Sequence, residues 1–174
     1  NADFRGYAGL IASGSVRRGD RVRVQPSGQE SRVARIVTAD GDLEQALAGQ
    51  SITLTLEDER DVSRGDVISA AASPAETADQ FETTLVWLGD EPMLPGRSYL
   101  LKAGARTVGA SFATPKHKIN VNTLEQLAAK QLELNEIGVC NLSLDRSIAF
   151  DPYGQDRAMG SFIVIDRLSN ATVG

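Results

Sequence analysis

The spacing of Gly14 and Gly19 matches that of a phosphate-binding loop, in which four residues separate two glycines and a lysine follows the second. In this chain Asp20 follows Gly19, and a carboxylate repels a phosphate group instead of holding it. Valine and arginine alternate after Asp20, which predicts a strand where a phosphate-binding loop leads into a helix. The glycine pair therefore indicates a structural turn.

The single histidine and the single cysteine also lack the neighbours that a reactive site needs. His117 stands between two lysines, whereas a metal ligand or a triad member requires convergent partners. We expect an exposed histidine with no chemical role. Cys140 shares a predicted strand face with leucines, which indicates a buried thiol and not a nucleophile. A lone cysteine forms no internal disulfide, and this favours a reducing, cytoplasmic compartment.

Asp40, Asp42 and Glu44 alternate as the ligands of a calcium loop do. The glycine at the sixth loop position and the distal glutamate are missing, so a solvated turn is the better interpretation. No paired-carboxylate motif accompanies them. The sequence therefore predicts no catalytic, cofactor-binding or metal-binding residue in this chain.

One local concentration of positive charge stands out in a chain whose formal net charge is −5. It consists of Arg17, Arg18, Arg21, Arg23, Arg32 and Arg35. The favoured interpretation is that these arginines lie on solvated outer strand faces. The functional alternative is a surface that contacts RNA or an acidic protein. The overall acidity argues against general binding of nucleic acid or anionic membranes.

The elements that position these residues are predicted to be short strands. The 174-residue chain has 16 glycines and only 5% aromatic residues, which is typical of turn-rich small β-barrels. Gly9–Gly28 is expected to form two strands joined by a turn at Ser13–Asp20 and closed by a second turn at Pro26–Gly28. Further strands are predicted at Ser31–Thr38, Ser51–Leu56, Phe81–Leu88, Ser98–Ala103, Arg106–Thr114, Lys118–Val121, Gly138–Leu144 and Ser161–Asp166.

Three segments receive other predictions. Thr123–Gln131 is the one convincing helix, with Thr123 as its N-cap. Leu43–Ala48 is expected to be a short helical or irregular link. The run Val62–Ile68 repeats the pattern of Val16–Val22, with an Arg-Gly-Asp turn in each, as turns in a barrel would.

These patterns predict an all-β fold of two consecutive translation-factor-type β-barrels with one short helix. The domains are expected at 1–72 and 80–174, with a small-residue, proline-containing linker at 73–79. Asn1 and Ala2 are expected to be cloning remnants ahead of a native start near Asp3. The chain is expected to be part of a longer protein.

The barrel prediction agrees with a resemblance to translation-factor-type GTPases. Gly14–Val22, Gly49–Leu54 and Arg64–Ile68 resemble strands and turns of the second domain of those proteins, elongation-factor domain II. Gly160–Asp166 resembles the glycine-led final strand of their third domain. These motifs are shared across the superfamily, so they indicate a fold more than a function.

More specific sequence motifs narrow the resemblance to one family. They are Phe4–Gly9, Pro26–Gly28, Val86–Leu88 with Pro95–Tyr99, and Asp166–Gly174. Together they resemble the large, GTP-hydrolysing subunit of bacterial sulfate adenylyltransferase, which in some bacteria is fused to an adenylylsulfate kinase. The N-terminal GTPase domain of that subunit, with its phosphate loop, has no counterpart here, so no GTP-contacting residue is assigned.

The resemblance implies a role in sulfate assimilation and cysteine biosynthesis. A small catalytic subunit would form adenosine 5′-phosphosulfate and pyrophosphate from ATP and sulfate, coupled to GTP hydrolysis by the parent protein with Mg²⁺. The barrels would be a non-catalytic docking and coupling module, with the GTPase domain, the small subunit and possibly a C-terminal kinase domain as partners. No membrane partner is implied. The alternative is a tRNA-binding barrel pair of a translation elongation factor-like GTPase.

Overall fold

The structure is a computed structural model that describes residues 4–174, so the expectation about Asn1 and Ala2 lies outside the described residues. These residues form fifteen strands and one short helix, which confirms the all-β prediction. None of their helices has the length and apolar character needed to cross a lipid bilayer.

The first half of the described chain forms antiparallel sheets. Its strands are β1 (Tyr7–Leu10), β2 (Ser15–Arg17), β3 (Arg21–Gln25), β4 (Gln29–Thr38), β5 (Gly41–Leu43), β6 (Gln45–Leu47), β7 (Ser51–Leu56) and β8 (Val67–Ala70). The main sheet has the order β1-β7-β4-β3-β8, β5 pairs with β4, and β2 pairs with β6. The buried core of this half is aliphatic and consists of Val22, Val33, Ile36, Ala46, Ile52 and Leu54.

The repeated Arg-Gly-Asp runs are repeated turns. The Asp20 amide donates to the Arg17 carbonyl at 3.2 Å, and the Arg17 amide donates to the Asp20 carboxylate at 2.8 Å. The Asp66 and Ser63 pair makes the same two hydrogen bonds, at 3.0 and 2.9 Å. The central glycines have φ angles of +86° and +91°, a conformation that disfavours any side chain. Each turn is therefore stabilised by both its glycine and its aspartate.

Two predictions about this half are wrong in detail. The strands β1 and β3 do not pair with each other, because β1 pairs with β7 and β3 pairs with β4 and β8. The intervening turn contains the additional strand β2. The segment Leu43–Ala48 is not a helical or irregular link, because β6 pairs with β2 and buries Ala46 completely. The pairing joins Gln45–Leu47 to Ser15–Arg17, a partner that lies far outside the local segment.

The second half contains longer strands. They are β9 (Glu76–Val86), β10 (Ser98–Ala103), β11 (Arg106–Phe112), β12 (His117–Ile119), β13 (Gln126–Leu127), β14 (Ile137–Phe150) and β15 (Ile163–Ile165), and the helix α1 is Arg157–Gly160. The sheet has the order β13-β12-β14-β11-β10-β15, and β9 also pairs with β14.

The last residues of the chain close this sheet into a barrel. The Val173 amide donates to the Val164 carbonyl of β15 at 2.8 Å. On its other side the Val173 carbonyl accepts from the Leu88 amide, which follows β9, at 2.9 Å. Because β9 pairs with β14, the ring β14-β11-β10-β15-(171–174)-β9 is complete. Closure leaves these strands without a free edge.

An aromatic cluster fills this barrel. Trp87 meets Tyr99 edge-on, with ring centroids 5.6 Å apart, and Tyr99 meets Phe112 at 6.1 Å. The polar ends of the first two rings are satisfied, because the Trp87 indole donates to the Glu91 carbonyl at 2.7 Å and the Tyr99 hydroxyl accepts from the Leu94 amide at 3.1 Å. All three rings are almost completely buried.

The predicted helix Thr123–Gln131 is wrong. The Asn120 side chain accepts from the Asn122 and Thr123 amides at 2.9 and 3.3 Å, which starts a turn instead of a helix. Leu124 has φ +61°, outside the right-handed helical region. After this turn β13 pairs with β12. The one helix, α1, is capped by Asp156, which accepts from the Ala158 amide at 2.8 Å.

The described chain divides into two compact units. The first runs to Thr77 and includes Ile148–Gly160, and the second comprises Ala78–Ser147 and Ser161–Gly174. The strand β9 begins at Glu76, inside the segment 73–79 that the sequence favours as a linker. The proposed domain limits, 1–72 and 80–174, stay a prediction.

Candidate functional site

The Gly14–Asp20 turn does not fit a nucleotide phosphate. The Gly19 amide, which a phosphate loop would direct at the ligand, donates to the Val33 carbonyl at 2.8 Å. The Asp20 carboxylate is held by the Arg17 amide, and strand β3 follows it directly. A phosphate needs free amides at the start of a helix, and this turn offers neither. The described residues therefore provide no GTP site at this turn.

The basic cluster is largely neutralised by carboxylates of the same unit. Glu30 lies between two of its arginines: it accepts from Arg21 Nη2 at 2.8 Å and from Arg23 Nη2 at 2.5 Å. The hydrogen bonds from Arg23 and then Arg21 lower the pKa of Glu30. Glu30 therefore stays ionised, and the two guanidinium groups are held along strands β3 and β4.

Arg35 and Arg18 face acidic residues of the segment whose spacing resembles a calcium loop. Arg35 binds Asp42 through two parallel hydrogen bonds, of 2.6 and 2.9 Å. This contact lowers the pKa of Asp42 and raises that of Arg35. Arg18 Nη1 lies 3.9 Å from a carboxylate oxygen of Glu44. Two of the three acidic side chains thus face arginines, and residues 4–174 contain no group of three or more potential metal ligands.

Arg17 and Arg32 are the members of the cluster without an ion-pair partner among the described residues. Arg32 Nη1 donates to the Gly19 carbonyl at 3.2 Å. A surface depression beside Arg21 and Arg32 is also lined by Glu30, Glu57 and Asp58, so it carries charges of both signs. Four of the six arginines are therefore ion-paired, the cluster is not a continuous cationic surface, and its role toward a partner stays a prediction.

His117 and Cys140 both lie on strands of the second unit. His117 is paired with Val139 across β12 and β14 and is half-buried, so the expectation of an exposed histidine is wrong. Its position inside a sheet, with a strand on each side, is the reason. Cys140 is fully buried, as predicted, and burial raises the pKa of its thiol to about 11. Such a thiol is protonated at neutral pH and is a poor nucleophile.

The lysines beside His117 are also paired. Lys116 contacts Glu82, and Lys118 contacts Glu136. These hydrogen bonds lower the pKa of Glu82 and of Glu136. The two lysines beside His117 are thus neutralised by ion pairs, which leaves little free charge for an acidic partner.

The most connected polar group of the second unit is Asp166, which the sequence analysis did not single out as functional. One carboxylate oxygen accepts from the Leu168 and Ser169 amides, both at 2.9 Å, and the other contacts Arg97. The amide hydrogen bonds from Ser169 and Leu168 lower the pKa of Asp166. An aspartate at a strand end followed by serine and asparagine is a recognisable turn signal. The group orders the turn 166–171.

Comparison with known proteins identifies both halves of the chain. Residues 80–174 match the family model GTP-eEF1A C-terminal domain-like, and residues 7–69 match Elongation factor Tu domain 2. The chain belongs to the GTP-eEF1A C-terminal domain-like family. The predicted pair of elongation-factor domain II-like and domain III-like barrels is confirmed.

Curated relatives confirm the narrower resemblance. Over all 174 residues the chain is 54% identical to the "Bifunctional enzyme CysN/CysC" of Xylella fastidiosa, of which it covers 28%. It is 50% identical to "Sulfate adenylyltransferase subunit 1" of Aeromonas salmonicida, of which it covers 37%. The chain thus spans about a third of the length of these relatives.

Solved structures show the same fold at much lower identity. Sup35 complexed with GDP aligns with a TM-score of 0.87 at 21% identity, over 98% of this chain and 44% of that chain. Such low identity indicates the fold alone.

Proposed function

We infer that this chain is the two-barrel region of the GTP-hydrolysing subunit of a sulfate adenylyltransferase, where it docks the catalytic subunit and couples it to the GTPase. The observation that carries this proposal is identity of 54% and 50% over the whole chain to CysN/CysC and to sulfate adenylyltransferase subunit 1. Identity at that level over both barrels is hard to reconcile with a shared fold only.

In this proposal the complete enzyme is cytoplasmic and transfers the adenylyl group of ATP to sulfate, releasing pyrophosphate. The small subunit carries that chemistry, and GTP and Mg²⁺ bind in the part of the large subunit that this chain does not span. A kinase domain like that of CysN/CysC is a further candidate neighbour. The contribution of this chain is mechanical, because its described residues offer paired surface charges and a packed interior, not a reaction centre.

The geometry of the second unit suits such a role. A closed ring of strands around an aromatic core resists bending, so a displacement at one side of the barrel is transmitted to the other. Coupling requires that a partner bind one arrangement of the enzyme more tightly than another. A stiff barrel with a docking surface meets that requirement without any catalytic residue.

The alternative function, tRNA binding by an elongation factor-like barrel pair, receives less support. Four of the six arginines that would contact a phosphate backbone face carboxylates of the same unit. Nucleic-acid affinity depends on cations that are free to replace counterions. We expect no salt-dependent retardation of tRNA by this chain in a gel-shift assay at low salt.

Replacement of the matching segment in a relative tests the proposal. The segment of Aeromonas salmonicida sulfate adenylyltransferase subunit 1 that aligns with this chain is exchanged for these 174 residues. The chimera is then purified with the second subunit, and the rate of pyrophosphate release from ATP and sulfate is measured. We expect a rate within about threefold of the parent enzyme, because half of the residues are identical.

The matched control carries the two aligned barrels of Sup35, which share the fold at 21% identity. The proposal expects this control to lose assembly or activity. If both chimeras work equally well, the segment is only a scaffold. If neither works although both fold, the assignment to sulfate adenylyltransferase is wrong.

A further inference from the structure

We draw no further inference here: the strongest candidate, the run of exposed aliphatic side chains Val121, Leu124 and Leu127 on the hairpin that joins β12 to β13, carries no proposal because nothing in the structure shows what covers it.

Discussion

The two units of this chain achieve stability by different means. The core of the first is entirely aliphatic, and its turns are fixed by reciprocal hydrogen bonds such as those between Arg17 and Asp20. The second contains the ring cluster of Trp87, Tyr99 and Phe112 and is closed by residues 171–174. The first unit therefore combines an aliphatic core with turns that are fixed by local hydrogen bonds, whereas the second relies on aromatic packing and on pairing of its last residues.

The largest expected effect concerns that aromatic core. Phe112→Ala should lower the free energy of unfolding of the second unit by about 4 kcal/mol, because it removes a fully buried ring and leaves a cavity. Trp87 is the only tryptophan and lies in the second unit, so its fluorescence during urea unfolding measures this directly. The control is Ile36→Ala in the first unit. If it shifts the Trp87 transition as much as Phe112→Ala does, the contrast between the units is wrong.

The second prediction concerns the buried cysteine of the same unit. The buried Cys140 thiol, with its pKa raised to about 11, should react with iodoacetamide at neutral pH on the order of 100-fold more slowly than in the unfolded chain. Mass spectrometry of samples quenched over time measures the rate. Alkylation of the folded chain at the rate found in urea would show that the barrel interior is open to reagents.

The third prediction concerns a turn of the first unit. Asp20→Ala should cost about 1 kcal/mol, because the Arg17 amide loses its side-chain acceptor. Circular dichroism during thermal unfolding follows the change. The matched substitution is Asp20→Asn, which keeps an acceptor oxygen and should recover most of the loss. Equal losses in the two variants would mean that the carboxylate charge, and not the turn hydrogen bond, is what matters.

The smallest effect is a pH dependence of the second unit. Amide hydrogen bonds lower the pKa of Asp166 in the folded state, so its ionised form stabilises the fold above its ordinary pKa near 4. That contribution is lost as the pH falls through the lowered folded pKa. The urea midpoint reported by Trp87 should therefore fall between about pH 5 and pH 3. Asp166→Asn should show a shallower fall, whereas an equally steep fall would assign the dependence to other carboxylates such as Glu136.

The comparison of the units also explains what could be predicted from the sequence. Strands with alternating burial, such as β10 at Ser98–Ala103, were predictable because their pattern is local. The Arg-Gly-Asp turns were predictable because glycine and aspartate determine turn geometry by themselves. The structure of Thr123–Gln131 was not predictable, because the helical spacing of its apolar residues competes with the turn at Asn120. It also competes with the pairing of β13 with β12, which the sequence of the segment itself does not reveal.

The availability of surface charges also depends on pairing between strands that are distant in the sequence. The six arginines were visible as a cluster, but their neutralisation by Glu30, Asp42 and Glu44 depends on which strands pair. Closure of the barrel by residues 171–174 is likewise a long-range event. Long-range pairing, more than composition, decides which side chains of this chain are available to a partner.

In the proposed function these barrels couple GTP hydrolysis to sulfate adenylylation. The most direct test is the ratio of pyrophosphate release with and without GTP, measured on the Aeromonas salmonicida chimera that carries this chain. We expect a ratio equal to that of the parent enzyme within about twofold. A chimera that assembles and forms product, but whose rate no longer responds to GTP, would contradict it.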